Sequence, residues 1–278
     1  MTQSNTSPLP ASTFPAKEVA VEGARLWVMD SGGEGTPLIL LHANTSTVAS
    51  WHEQFVAFHG AGYRVIAFDR RGWGKSMADP ATGPQPGSIA EDLEGLVNAL
   101  GLEKFHLLGI AGGGFAALDY AAWKPSRLLK LVIAGSNGKF TEPEMQDFYA
   151  RIAVPGLTGR LEVRPYLEVG VAYRSENPEG FQRFIAMEHS SRQEGAPEQA
   201  LRTPNTFAKI STIATQTLVL MGGSDLLAPP ALMKTWARHL QRAQFALIGD
   251  AGHSINWERP DEFNQIVLEF LSQPVSTN

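Results

Sequence analysis

Residues 107–116 read Leu-Leu-Gly-Ile-Ala-Gly-Gly-Gly-Phe-Ala, an apolar run that breaks into glycine at Gly109 and again at Gly112, Gly113 and Gly114. The letters FHLLGI at 105–110 are unbroken enough for a strand buried on both faces, and a helix is expected to begin near Gly112. Where a strand turns that sharply into a helix, the central residue is forced into strained backbone angles. Its neighbours must then be small, because strand and helix approach closely. Two other readings fit the same letters: a glycine-rich packing turn, and a phosphate loop of the G-x-G-x-x-G kind. The second should open the first strand–helix unit of a chain, whereas this run follows several earlier strands.

Runs of the same kind recur on both sides: PLILL at 37–41, YRVIAF at 63–68, LLKLVIA at 128–134, TLVLM at 217–221 and QFALI at 244–248. Two short alternating segments around Glu22-Gly23 suggest an opening hairpin. Between the runs lie amphipathic stretches with helical spacing, clearest at 88–101 and 260–271. This alternation predicts a mostly parallel sheet of about eight strands with helices on both faces. The rhythm fails between about 137 and 212, where helical patches are broken by Pro155, Gly156, Pro165, Pro178 and Pro204. The expected division is therefore a flexible tail at 1–17, a core from 18–136 and 213–278, and a helical cap at 137–212 inserted after the sixth strand.

Composition narrows the function. The 278 residues carry a formal charge of −5, spread rather than blocked, so no electrostatic footprint for nucleic acid or an anionic membrane is expected. With no cysteine, disulfides, thiolate metal sites and a cysteine nucleophile are excluded. Without a signal-like start or a run of roughly 18 apolar residues, the expected location is the cytoplasm. The expected partner is a small molecule, and a homodimer is compatible with the sequence. No metal or cofactor is assigned, since the histidines lack a ligand spacing such as H-E-x-x-H.

Polar residues gather at the ends of the strand runs: His42-Ala43-Asn44 leading to Ser50-Trp51, Asp69 to Ser76, Gly222-Gly223-Ser224-Asp225, and Gly252-His253-Ser254. The order is sharp turn, acid, histidine. In this the chain resembles the α/β-hydrolase fold of the cap-bearing type, over about residues 18–272. The resemblance implies a nucleophile elbow, G-x-S-x-G, with position 111 as nucleophile, Asp225 as acid and His253 as base. It also implies an oxyanion hole from the N–H groups of Asn44 and Gly112. The sequence departs from the pattern twice: Ala43 replaces the usual glycine of the His-Gly motif, and Ala111 replaces the nucleophile. His42 reads as structural, Asp69, Arg70 and Ser76 as turn formers, and Trp51 and Phe140 as pocket-lining candidates. The cap sequence shows no charged anchor for a substrate.

Alanine has no hydroxyl to form an acyl-enzyme, and triads without a nucleophile retain only about 10³- to 10⁴-fold catalysis over water. Ser46, Thr45, Thr47 and Ser136 offer hydroxyls nearby, but none sits on an elbow. Three accounts stay open. A serine has been exchanged in an ordinary hydrolase of a small, largely neutral ester, lactone or C–C substrate. Alternatively, alanine is native and His253 with Asp225 works as a general-base pair, as in a lyase or cofactor-free oxygenase. In the third, the chain binds a ligand without catalysis.

Overall fold

The computed structural model describes residues 14–78, 87–196 and 198–275. Its sheet is built from β1 (Ala16–Val21), β2 (Ala24–Asp30), β3 (Pro37–Leu41), β4 (Arg64–Phe68), β5 (Met77–Ala78), β6 (Phe105–Ile110), β7 (Leu128–Ala134), β8 (Thr217–Gly222) and β9 (Ala243–Ile248). The order is β1-β2-β4-β3-β6-β7-β8-β9, with the two-residue β5 against β2. From β4 through β9 every neighbour pair is parallel, and β2 is antiparallel to both β1 and β4.

The unbroken runs are explained by two cores. Ile39, Leu41, Leu107 and Ile133 face helices Ile89–Ala99, Gly112–Trp123 and Pro230–Ala237 on one side. Leu38, Leu40, Leu108 and Val132 face helices His52–Gly60 and Pro260–Ser272 on the other. Side chains alternate across a strand, so a strand covered on both faces must be apolar at every position. Each such buried side chain contributes roughly 2 kcal/mol.

The run QFALI departs from that expectation. In β9 Phe245 and Leu247 are 47% and 52% exposed, because this strand ends the sheet and is covered on one face only. Residues 16 and 17, expected in a loose tail, belong to the first strand. Lys17 and Ala16 already pair with Val28 and Met29, since the hairpin continues until Pro15, whose carbonyl still accepts from the N–H of Asp30. Residues 1–13 lie outside the described residues. Lys130, a buried lysine in β7, donates to the carbonyls of Phe270, Leu271 and Gln273, closing the C-terminus of helix Pro260–Ser272.

Between β7 and β8 the chain forms helices Pro143–Ile152, Arg164–Glu168, Val171–Glu176, Pro178–Ser191 and Phe207–Ile210. One side of this segment is sewn to the turn after β4. Gln193 donates its N–H to the Gly72 carbonyl and its side-chain amide to the carbonyls of Gly74 and Ser76, while Gly74 donates to the Ser191 carbonyl. The opposite side, residues 153–163, is an exposed loop whose hydrogen bonds are local: Val154 with Leu157 and Thr158, Leu157 with Arg160, and Arg160 with Val163 and Glu162. Among the described residues no helix is long and apolar enough to cross a membrane.

Candidate active site

Ala111 sits at φ 49° and ψ −115°, a region that L-residues avoid. Its N–H donates to the Ala134 carbonyl at 2.9 Å, and its carbonyl accepts from the Ser136 hydroxyl at 2.8 Å, so the neighbouring strand pins both sides of the strained residue. The flanking glycines are explained by crowding. A Cβ on Gly109 would lie 2.4 Å from the Gly113 carbonyl oxygen, and one on Gly113 would lie 2.1 Å from that of Leu41. Helix Gly112–Trp123 thus springs directly from the end of β6, with its first N–H groups beside residue 111.

The loop after β3 lies against this turn. A Cβ on Gly112 would strike the Asn44 side chain, whose Oδ1 accepts from Arg70 at 2.9 Å. The main-chain N–H groups of Asn44 and Gly112 have no acceptor among the described residues. His42 lies underneath: its Nδ1–H donates to the Ala43 carbonyl, its Nε2 accepts from the Arg70 N–H, and burial with the charge of Arg70 holds its pKa well below the usual value. It is a neutral, structural histidine.

Asp225 follows β8 and accepts from the N–H groups of Leu227 and Ala228 at 2.8 Å through Oδ1. Its Oδ2 faces Nδ1 of His253 at 2.9 Å, which leaves Nε2 as the free ring nitrogen. Ala111, Gly112, Asn44 and His253 line one cavity of about 280 Å³, together with Phe115 and Glu168. A recess of about 10 Å³, the scale of one water molecule, lies between Ala111, His253, Ser46 and Ser50. Strand ends that are far apart in sequence therefore converge on one point.

Residues 36–260 match the family model of the alpha/beta hydrolase fold. The chain belongs to the α/β-hydrolase family. Similar proteins include a 2-hydroxy-6-oxononadienedioate/2-hydroxy-6-oxononatrienedioate hydrolase of Burkholderia vietnamiensis, 30% identical over 94% of this chain and 96% of that protein. A 2-hydroxy-6-oxo-6-phenylhexa-2,4-dienoate hydrolase of Comamonas testosteroni is 28% identical, covering 88% and 90%. Among solved structures, a thermophilic esterase from Thermogutta terrifontis superposes with a TM-score of 0.77 at 28% identity, over 92% of this chain and 98% of that one. These relatives are hydrolases acting on small carbonyl compounds, and this chain is a member of that enzyme family.

In this α/β hydrolase the two aromatic candidates do not behave alike. Trp51 is fully buried in the short helix Val48–Trp51, packed in the core beneath the loop, and lines none of the cavities beside Ala111. An indole next to a polar loop is worth more to the core than to the pocket, and the assignment of Trp51 to substrate is corrected. Phe140 is only 1% exposed and stacks on Trp236, yet its edge reaches a second cavity of about 810 Å³ adjoining the first.

That larger cavity holds charged residues to which the sequence reading gave no part in the site. Arg70 and Arg192 flank the Trp73 ring, with guanidinium carbons 4.3 and 5.0 Å from its centroid, and neither has a carboxylate partner among the described residues. Burial and the charge of Arg192 pull Arg70 down to about 9. Glu188 is pushed up to about 7 by burial and by Glu168, and one of its oxygens has no partner; its nearest cation is Arg164 at 3.5 Å. Arg164 and Glu168, like Glu188 and Arg192, stand four apart in helical stretches. That spacing was the available signal that one face of the segment is charged.

Glu168 reaches furthest into the site. Its carbonyl accepts from the N–H groups of His253 and Ser254 at 2.9 and 3.0 Å, and its Oε2 accepts from the Thr45 hydroxyl at 2.6 Å. Glu258 accepts from the N–H groups of Gly170, Gly252 and Ser254. Burial opposes a charged His253, but the charge and hydrogen bond of Asp225, backed by Glu168 and Glu258, outweigh it and lift the imidazole to about 9.

Proposed function

We propose that this α/β hydrolase cleaves a small carbonyl compound by direct addition of water, with His253 as base in place of a serine nucleophile. The observation that supports this best is the pairing of a tethered imidazole with a methyl group at a strained elbow. Asp225 fixes the tautomer, and the one-water recess is lined by both Ala111 and His253. A water there gives its proton to Nε2 of His253 and its oxygen to the carbonyl carbon. The N–H groups of Asn44 and Gly112 receive the oxyanion that forms. Residues 137–212 act as the roof of the site.

The substrate in this reading is neutral at its reacting carbonyl and carries a carboxylate at one end. The guanidiniums of Arg70 and Arg192, neither facing a carboxylate among the described residues, supply two cationic groups beside Trp73 for that end. The dienoate and dienedioate in the relatives' names fit that chemistry.

The test is turnover of 2-hydroxy-6-oxo-6-phenylhexa-2,4-dienoate, followed by loss of its absorbance. The present chain should turn it over slowly, His253→Ala should abolish the reaction, and Arg192→Met should raise KM about tenfold to a hundredfold with little change in kcat. Turnover that survives His253→Ala would remove the histidine as base. Histidine-dependent consumption of dioxygen would move the chain to the oxygenase reading instead.

A further inference from the structure

We propose that Glu168 is the proton donor of this site: a carboxylic acid, reaching the core from the inserted helical segment, that protonates the departing fragment while His253 takes the proton from water. The inference rests on the water-addition reading above and adds the acid that reading lacks.

Cleavage of a C–C or C–O bond next to a hydrated carbonyl releases a carbanion or alkoxide, and a group in the same cavity must protonate it. Among the residues lining the cavity around Ala111, only His253, Tyr149 and Glu168 titrate. His253 is occupied as the base. Tyr149 is committed elsewhere: its hydroxyl donates to the Asn137 carbonyl and accepts from the Phe140 N–H, and burial pushes it up to about 12. Glu168 remains. It is 5% exposed, it lines both the cavity at Ala111 and the larger one beside it, and its carboxyl is aimed at the loop carrying Asn44 by the bond from Thr45.

The surroundings make the Glu168 carboxyl a weaker acid than a free one. Burial raises Glu168 above the usual carboxylate range. His253 and Arg164 oppose the rise, as does the bond from Thr45, while Asp225 adds to it. Glu188, from helix Pro178–Ser191, stands close enough that burial and the charge of Glu168 lift it to about 7, so the two carboxyls share one electrostatic environment. Glu258 is engaged with backbone N–H groups behind the histidine loop.

The step balances without a further reagent. Water loses a proton to Nε2 of His253 and its oxygen bonds to the carbonyl carbon. The bond to the departing fragment breaks with its electron pair on that fragment, which takes the proton from Glu168. The imidazolium then gives its proton to solvent and the Glu168 carboxylate takes one from solvent, which restores the starting state. Two groups coupled by charge titrate as a unit, so the limbs of the pH profile belong to the pair.

Glu168→Gln tests the role, since its amide oxygen still accepts from Thr45 but cannot supply a proton. With the phenylhexadienoate substrate, the profile of kcat/KM should be bell-shaped in the unmodified enzyme. In Glu168→Gln it should collapse to a single rising limb, with kcat about 100-fold lower. One readout needs no turnover. The protonated-carboxyl band that titrates in the infrared spectrum of the unmodified enzyme should vanish in Glu168→Gln. Thr45→Val, which removes the bond but keeps the acid, should retain the bell. A bell that persists in Glu168→Gln, or a Thr45→Val enzyme that loses as much activity as Glu168→Gln, overturns the assignment. If His253→Ala stays active the base reading fails instead, while the infrared band still decides whether Glu168 holds a proton.

Discussion

A side chain at φ 49° stores strain of the order of 1–3 kcal/mol, and at Ala111 no hydroxyl is present to use it. Ala111→Gly should therefore stabilise the fold by about 1 kcal/mol, raising the thermal midpoint by roughly 2–4 °C, as calorimetry would read. A lower midpoint would mean that the methyl's packing outweighs the strain. Ala111→Ser should keep the strain and place a hydroxyl beside His253, so that turnover of simple aryl esters rises by about 10³-fold. Esterase activity that does not rise would show that the recess serves another geometry. The sequence pointed to Asp225, His253, Gly112 and Asn44 because each follows a strand run among small neighbours, and the structure gathers them around Ala111. The position of Glu168 was not legible, since nothing in RPYLE says that it will meet a threonine 123 positions earlier. Trp51 misled because an aromatic beside a site and an aromatic beneath it look alike in sequence.

The strands were legible as elements because a doubly covered sheet leaves no polar position to confuse the period. The end strand β9 was not distinguishable from them, since its exposed Phe245 and Leu247 imitate a buried run. The two-residue β5 carries no pattern at all. Helix Pro260–Ser272 illustrates a dependence that sequence hides: its last carbonyls are closed by Lys130 from β7 rather than by a glycine. Lys130→Met keeps the volume and removes three donors, and should destabilise the protein by about 3 kcal/mol. Hydrogen exchange should quicken first in the final turn of that helix. Uniform protection would assign the lysine no capping role.

Across the whole molecule, the buried charges set opposite responses to pH. His253 has a raised value, about 9 against 6.5, so its stabilising share is complete below about 6.5 and disappears as pH climbs through 9. Glu188 is raised to about 7 against 4.5, so its ionisation, unfavourable in the fold, weakens the protein progressively from about pH 4.5 through 7. Glu188→Gln should leave the midpoint unchanged near pH 4 and raise it at pH 8; an equal effect at both would detach it from the charge. That helices take the place of strands between β7 and β8 was readable from the lost strand rhythm. The asymmetry of that segment was not, because it lies in contacts such as Gln193 with Gly72, Gly74 and Ser76. One margin is stitched to the turn after β4 and the other, at 153–163, bonds only within itself and to the end of the helix before it. The stitched margin is expected to act as a hinge line and the loose one as a door, so traffic in and out of the cavity should pass beneath Thr158 and Gly159, which line it. Product departure, rather than bond breaking, would then be the step most sensitive to solvent viscosity, and stiffening the door would slow the enzyme without touching its chemistry.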